Sequence, residues 1–286
     1  MEGSGKMQNV IIRTTEQLDF RAKEAYKTLR TNLSFAGKDI KVISLTSCTP
    51  SEGKSSVSFQ LCMSLAESGK KTILVDADMR KSVLRGRYKA SREKYGLSHY
   101  LSGQAEFDDV CCRTNIENLD IIFAGPVPPN PSELLAGERY ETLIELLRWK
   151  YDYVIVDTPP LGSVVDGAVA SAFCDGAVIV IESGAVSHKF VKSIKEQLDR
   201  VGCRVLGCVL NKVDLKKSGY YKKYYGYYSG YGYYGNPENG EGEIPLSPVR
   251  KEQTEKAETT GEVKRSDTAE IEEDCKLQEK AAEENG

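Results

Sequence analysis

Ser47-Cys48-Thr49-Pro50-Ser51-Glu52-Gly53-Lys54-Ser55-Ser56 lies between an apolar run, Val42-Ile43-Ser44-Leu45-Thr46, and a helical pattern from Val57 to Ala66. Strand, loop and helix in that order frame a phosphate-binding loop. Its backbone N–H groups cradle phosphates, a lysine reaches the outer ones, and a hydroxyl meets magnesium. Gly53, Lys54 and Ser55 are the residues for those tasks, with Thr49, Pro50, Ser51, Glu52 and Ser56 lining the rest. The usual pattern opens with glycine six residues before the lysine, and Cys48 stands there instead.

Phosphate chemistry also needs carboxylates to hold a metal, and two further stretches offer them past apolar strands. Ile73-Leu74-Val75-Asp76-Ala77-Asp78-Met79-Arg80 places two acids and an arginine at one strand end, and Val154-Ile155-Val156-Asp157-Thr158-Pro159-Pro160 places an acid at another. In an open parallel sheet ligands sit beyond the carboxyl ends of the strands, so the three motifs are expected to converge on one crevice. Aspartates at strand ends also cap following helices. Two prolines after Asp157 make capping a poor account of it.

The chain of 286 residues, 40% hydrophobic and 28% charged, suffices for one sizeable domain with tails. Eight scattered cysteines, with no Cys-x-x-Cys pair, read as reduced and mostly buried rather than as disulfides or metal ligands. No apolar run approaches the roughly 18 residues needed to cross a bilayer, and no signal-peptide order opens the chain. The expectation is a soluble protein inside the cell. Charge is uneven: residues 236–286 carry 15 acids against 7 bases, leaving +5 on residues 1–235 of a chain whose net charge is −3.

Along the chain, residues 1–17 show no periodicity and read as a flexible lead-in. Phe20 to Leu33 reads as a helix with Ala22, Ala25, Tyr26, Leu29 and Leu33 near one face. Glu24, Lys27 and Arg30 recur on the adjoining face, as a solvated stripe or a subunit contact. A second strand spans Thr72 to Val75, and residues 81–118 read as a polar loop with one or two short helices. Leu119 to Ala124 is another strand, followed by a proline-rich extended segment. Helices starting at Ser132 and spanning Arg139 to Trp149 lead to the strand Tyr153 to Val156. A helix around Asp166 to Phe173, a strand Ala177 to Ile181, a helix Lys189 to Val201 and a strand Arg204 to Leu210 complete the alternation. Such alternation implies an α/β fold, a mostly parallel sheet with helices on both faces. Asn211-Lys212-Val213-Asp214 closes the last strand at the same carboxyl edge.

Composition then changes. Tyr220, Tyr221, Tyr224, Tyr225, Tyr227, Tyr228, Tyr231, Tyr233 and Tyr234, nine of the chain's 16 tyrosines, fall within fifteen positions among Lys222, Lys223 and glycines. No aliphatic residue accompanies them, so the segment is expected to be exposed. The boundaries are thus a lead-in over 1–17, a phosphate-loop domain over 18–215, a tyrosine cluster over 216–235 and a disordered acidic tail over 236–286.

These motifs together resemble the bacterial tyrosine kinases that regulate capsular and extracellular polysaccharide synthesis, of the type whose cytoplasmic kinase is separate from its membrane activator. The resemblance covers residues 18–235. It rests on Thr49 to Ser55 as Walker A, Asp76 to Arg80 as Walker A′, Asp157-Thr158-Pro159-Pro160 as Walker B, Pro128 to Leu135, and the tyrosine cluster. It implies a P-loop fold that transfers the γ-phosphate of ATP, with Mg2+, to tyrosines of its own cluster. Carried over by position, Lys54 neutralises the transferring phosphates. Ser55, Asp78 and Asp157 hold magnesium, Asp76 accepts the tyrosine proton, and Asn211 recognises adenine. Arg80 orients the acids or touches the incoming phosphate.

Glu24-Ala25-Tyr26-Lys27-Thr28-Leu29-Arg30 resembles the family's ring-forming helix motif, with Lys27 where arginine is usual. A lysine gives a point charge without a bidentate fork. The resemblance further implies a membrane-bound activator that regulates chain length, a cognate tyrosine phosphatase, a ring-like homo-oligomer, and a cytoplasmic position at the inner face of the plasma membrane. No nucleic-acid partner is expected. Tyr220 lies nine residues past Asn211, a reach of at most about 30 Å, enough for a neighbouring site in a ring. Each phosphate adds about −1.5 to −2 charge, so several would overturn Lys216, Lys217, Lys222 and Lys223 and release the tail.

Two rival readings share parts of this pattern. Partitioning or division-site ATPases have the fold and the aspartates but carry an extra lysine five residues before the Walker lysine, where this chain has Thr49. A tyrosine-glycine tail that stacks on single-stranded nucleic acid leaves the acids without a task.

Overall fold

A computed structural model describes residues 8–13, 18–90 and 94–214. Eight strands are described: β1 (Gln8–Val10), β2 (Val42–Ser47), β3 (Thr72–Asp76), β4 (Cys111–Thr114), β5 (Leu119–Ile122), β6 (Tyr153–Asp157), β7 (Gly176–Glu182) and β8 (Val205–Asn211). They form one sheet in the order β1-β4-β5-β3-β6-β2-β7-β8, in which every neighbouring pair is parallel except β4 with β5. Every residue of β2 and β3 is buried. That is why these strands read as continuous apolar runs: a parallel strand is covered on both faces.

Alternate residues divide between two cores. Ile73, Val75, Val154 and Val156 pack on one face, beneath α6 (Pro131–Ala136) and α7 (Glu138–Lys150), with Leu135, Tyr140, Leu143 and Leu147. Leu74, Ile155, Ile43 and Leu45 pack on the other, beneath α2 (Lys54–Glu67), with Val57, Phe59, Leu61 and Leu65. Burying a side chain such as Phe59 contributes about 1.5–3 kcal/mol. Its ring also stacks on Tyr88 at 3.8 Å between centroids. A third cluster joins β7 to α9 (His188–Arg200) through Ile179, Ile194 and Leu198.

Helix α1 (Phe20–Phe35) starts where Asp19 accepts the Ala22 amide at 2.7 Å, and turns Leu33, Tyr26 and Leu29 toward the second core. The remaining helices are short: α3 (Leu84–Arg87), α4 (Leu97–Leu101), α5 (Phe107–Val110) and α8 (Asp166–Ser171).

Two strands depart from the sequence reading. Gln8–Val10, inside the stretch read as an unstructured lead-in, is the edge strand β1 and pairs in parallel with β4. Cys111–Thr114, inside the stretch read as loop and helix, is β4, and that stretch holds three short helices rather than one or two. Strands of three and four residues are too short to show a period. Both are fixed from outside, the Ile12 amide donating to Asn115 Oδ1 at 2.7 Å and the Gln8 side chain to the Asp109 carbonyl. Seven cysteines are free among the described residues, and five of them are buried. The tyrosine cluster, Leu215 and the acidic tail lie outside the described residues.

Candidate active site

The strand order brings the motifs together. β6 lies between β2 and β3, with Asp157 in register with Asp76 on one side and Leu45 on the other. The carboxyl ends of all three strands therefore meet at one edge, as the sequence predicts.

The phosphate loop leaves β2 and enters α2 through Gly53, whose φ is +90°. A Cβ on Gly53 would lie 2.1 Å from Asn211 Nδ2, so only glycine fits. Asn211 Nδ2 donates to the Glu52 carbonyl at 2.8 Å. Lys212 Nζ donates to the Ser51 carbonyl at 2.7 Å and pairs with Glu182 at 2.8 Å. Buried Glu52 accepts the Thr49 amide at 2.9 Å. The end of β8 thus holds the loop from outside, while Pro50 and Ser51 stay on its rim. Ser56 accepts a hydrogen bond from Arg87.

Cys48 is fully buried among Leu161, Ala177 and Ile179. Its φ is not among the positive ones, so this position makes no demand for glycine. Its carbonyl accepts the Gly162 amide at 3.0 Å, which ties the loop's start to the segment after Asp157. Burial, then the charge of Glu52, pushes the Cys48 thiol up to about 11, which leaves it unreactive at neutral pH.

Lys54 Nζ lies 2.7 Å from Asp157 Oδ1 and 3.2 Å from Ser55 Oγ. Both Lys54 and Asp157 are buried, and Ser58 Oγ adds a hydrogen bond to the same carboxylate at 2.9 Å. Asp76 is wholly buried. Ser82 donates to its Oδ2, whereas Oδ1 is buried without a hydrogen-bond partner. Burial first, then the nearby Asp157 charge, pushes the Asp76 carboxyl up to about 8. An orphaned, buried carboxylate oxygen beside a second acid is a place where a cation fits. Asp78, also buried, accepts the Lys81 amide at 3.0 Å.

No group of three or more candidate ligands is close enough to enclose a metal among the described residues. Magnesium in nucleotide sites is ordinarily held by one or two carboxylates together with substrate phosphates, and Ser55, Asp78 and Asp157 carry oxygens that could serve it.

Arg80 makes no hydrogen bond to these acids among the described residues. Its Nε and Nη2 donate to the two oxygens of Asp166 at 2.6 and 3.2 Å, and Ser132 also donates to Asp166. On α1, Lys27 pairs with Glu24 at 2.7 Å on the surface, and Arg30 donates to the Ser64 carbonyl of α2 at 2.5 Å. Sequence reasoning missed Ser58, Ser82, Ser132, Asp166, Glu182 and Lys212. Ser58 stood one helical turn past Lys54, a usable signal, and Ser132 lay within a motif that had no assigned task. Asp166 carried none.

Residues 40–206 match a domain-family profile described as an AAA domain. The chain is 43% identical to the "Tyrosine-protein kinase CpsD" of Streptococcus agalactiae over 194 residues, 68% of this chain and 85% of that protein. This chain belongs to the bacterial tyrosine-protein kinase family. Among solved structures, the chimerical protein CapA2B2 superposes with a TM-score of 0.65 at 33% identity, covering 73% of this chain and 95% of that one. The kinase domain of the Escherichia coli tyrosine kinase ETK gives a TM-score of 0.65 at 31% identity, covering 73% and 91%. MinD from Pyrococcus horikoshii, solved with Mg-ADP, shares the fold alone, at 24% identity and a TM-score of 0.54 over 62% of this chain and 72% of that one. The fold and phosphate loop predicted from sequence are those of this kinase family. No helix among the described residues is long and apolar enough to cross a membrane.

Proposed function

We propose that this tyrosine kinase transfers the γ-phosphate of ATP to tyrosines of its own cluster at 220–234, and so regulates capsular or extracellular polysaccharide synthesis and export. One observation carries the reading. Lys54 Nζ, Asp157 and Asp76 meet at adjoining strand ends, with Lys54 2.7 Å from Asp157 and Asp76 in register with it.

Phosphoryl transfer asks for positioning and charge neutralisation more than for covalent chemistry. Lys54 gives the outer phosphates a cation once it leaves Asp157. Asp157, Asp78 and Ser55 would then hold Mg2+, which when bound supplies further charge against the phosphoryl oxygens. Asp76 is the base for the tyrosine proton. Its carboxyl, held near 8 by burial and the Asp157 charge, has to lose its own proton before it takes the tyrosine's, and a cation bound beside it would favour that loss. Asn211 donates through Nδ2 to the loop, and its Oδ1 is the acceptor for the exocyclic amine of adenine.

Ring assembly through Glu24, Lys27 and Arg30 fits the surface pair on α1. An exposed pair of this kind is worth about 0–1 kcal/mol and opens readily toward a neighbour. In this reading a membrane-bound activator brings the kinase to the inner face of the plasma membrane, and a cognate phosphatase resets the cluster.

The test is incubation of the purified chain with Mg·ATP and mapping of phosphotyrosine by mass spectrometry. Phosphate on 220–234 that disappears in Lys54→Met is the expected result. Free phosphate with unmodified tyrosines would instead support a division-site type of ATPase. Light scattering before and after ATP reads the release of the tail: phosphorylated chains are expected to leave the oligomer.

A further inference from the structure

The Arg80–Asp166–Ser132 group has no task in the scheme above, and its geometry is specific. Asp166 opens α8, nine residues beyond Asp157, and its side chain is 2% exposed. It receives three hydrogen bonds, two from Arg80 and one from Ser132. Ser132 lies in the first turn of α6, within the Pro128-to-Leu135 stretch. One buried carboxylate therefore ties together the loop after β3, the start of α6 and the start of α8.

Arg80 itself remains 42% exposed. A guanidinium has five N–H donors. Two are spent on Asp166, and the other three make no hydrogen bond among the described residues. Arg80 follows Asp78 by two residues and Asp76 by four, and the Asp78 charge acts on it, so the site acids compete for an unrestrained guanidinium. Lys54 shows such a pairing, for it rests on Asp157. Arg80 is kept from it by a carboxylate of its own, in the bidentate geometry that fixes a guanidinium plane.

We propose that Asp166, fixed by Ser132, is a positioning residue that keeps Arg80 off Asp76, Asp78 and Asp157 and presents its remaining donors to the acceptor side of the transferring phosphoryl group. The inference rests on the kinase reading. In that reaction the bond from the γ-phosphorus to the β,γ-bridging oxygen breaks and a bond to the tyrosine oxygen forms. ADP leaves, and the phenolic proton passes to Asp76. Arg80 exchanges no proton; it meets the negative charge as it arrives on the acceptor. Release of Arg80 would therefore slow transfer while leaving the grip on the nucleotide intact, because the loop and Lys54 are held by other residues.

The test compares the full-length wild type with Asp166→Asn, Asp166→Glu, Arg80→Ala, the double variant Arg80→Ala with Asp166→Asn, and Ser132→Ala. Two quantities are read: affinity for a fluorescent Mg·ADP analogue, and the initial rate of phosphotyrosine formation with Mg·ATP. Asp166→Asn is expected to slow transfer about 10- to 100-fold, the scale of a misplaced reacting group, with nucleotide affinity within about twofold. Restoring the carboxylate as glutamate should recover part of the rate. The double variant should be no slower than Arg80→Ala alone, since both changes remove one function.

Equal losses in affinity and rate, or losses that multiply in the double variant, would overturn the inference. So would transfer at the wild-type rate in Asp166→Asn. Should Asp166→Asn fail to fold, Ser132→Ala decides: a slower transfer at unchanged affinity supports the inference, and an unaltered rate overturns it. A wild type that forms no phosphotyrosine at all would remove the kinase reading and this inference with it, an outcome distinct from any result confined to the variants.

Discussion

The two walls of the crevice hold their cations in opposite ways. At the phosphate loop, Lys54 is buried against Asp157, an acid that the proposed chemistry also uses. In the loop after β3, Arg80 is half exposed and paired with Asp166, an acid that the proposed chemistry does not itself use. In the proposed reaction the first cation changes partners before it meets the phosphates. The second is set in place beforehand. A buried pair costs much to break from one side, because the remaining charge stays in a poorly solvated place. An exposed cation is rehydrated at little cost.

The largest expected effect tests the buried pair. Lys54→Met should reduce phosphotyrosine formation by more than about 100-fold, the scale for losing a preorganised charge partner. It should also lower stability by about 3 kcal/mol through the stranded Asp157, read by denaturant melts. A melt that does not move would show that Ser58 alone satisfies Asp157.

Gly53→Ala comes next. A methyl 2.1 Å from Asn211 Nδ2, at φ +90°, must push Asn211 away or distort the loop. Affinity for Mg·ADP should fall at least tenfold, measured by titration, and shortening the neighbour in Asn211→Ala should restore only part of it because the backbone strain persists.

Asp76→Asn tests the acids through pH. The folded carboxyl keeps its proton up to about 8, whereas its ordinary value is 3.8. Between those values the folded chain binds more protons than the unfolded one, so raising the pH costs stability. The variant should therefore melt higher than wild type, by a margin that widens from about pH 4 to pH 8 and then stays level. Thermal melts across that range are the measurement, and a constant margin would contradict the raised value. The smallest effect belongs to Lys212→Ala, whose exposed bond to Glu182 is worth about 0–1 kcal/mol. Any larger fall in nucleotide affinity would have to come through the Ser51 carbonyl.

The central strands and the three acidic and glycine motifs were legible because fully buried parallel strands leave unbroken apolar runs, and because phosphate chemistry demands fixed residue types at strand ends. The edge strand β1 and its neighbour β4 were not, since three or four residues with mixed polarity carry no period. The same contrast divides the site. Lys54, Asp76, Asp78 and Asp157 could be nominated because their spacing is local to one loop or one strand end. Asp166 reaches Arg80 from 86 positions away in sequence, and Ser132, 52 positions from Arg80, holds Asp166 in turn. Only the packing of α6 and α8 makes them neighbours, and no local pattern encodes it. Asn211 was placed at the correct edge, but its bond to the Glu52 carbonyl depends on a third dimension that spacing does not supply.

Cys48 has a consequence for how such chains are recognised. Its side chain enters the core among Leu161, Ala177 and Ile179 and its backbone is unexceptional, so the opening position of the loop is filled here without the conformation that calls for glycine. A search pattern that insists on glycine there would pass over nucleotide-handling proteins like this one, whereas one anchored on the tight Gly53–Asn211 approach would retain them.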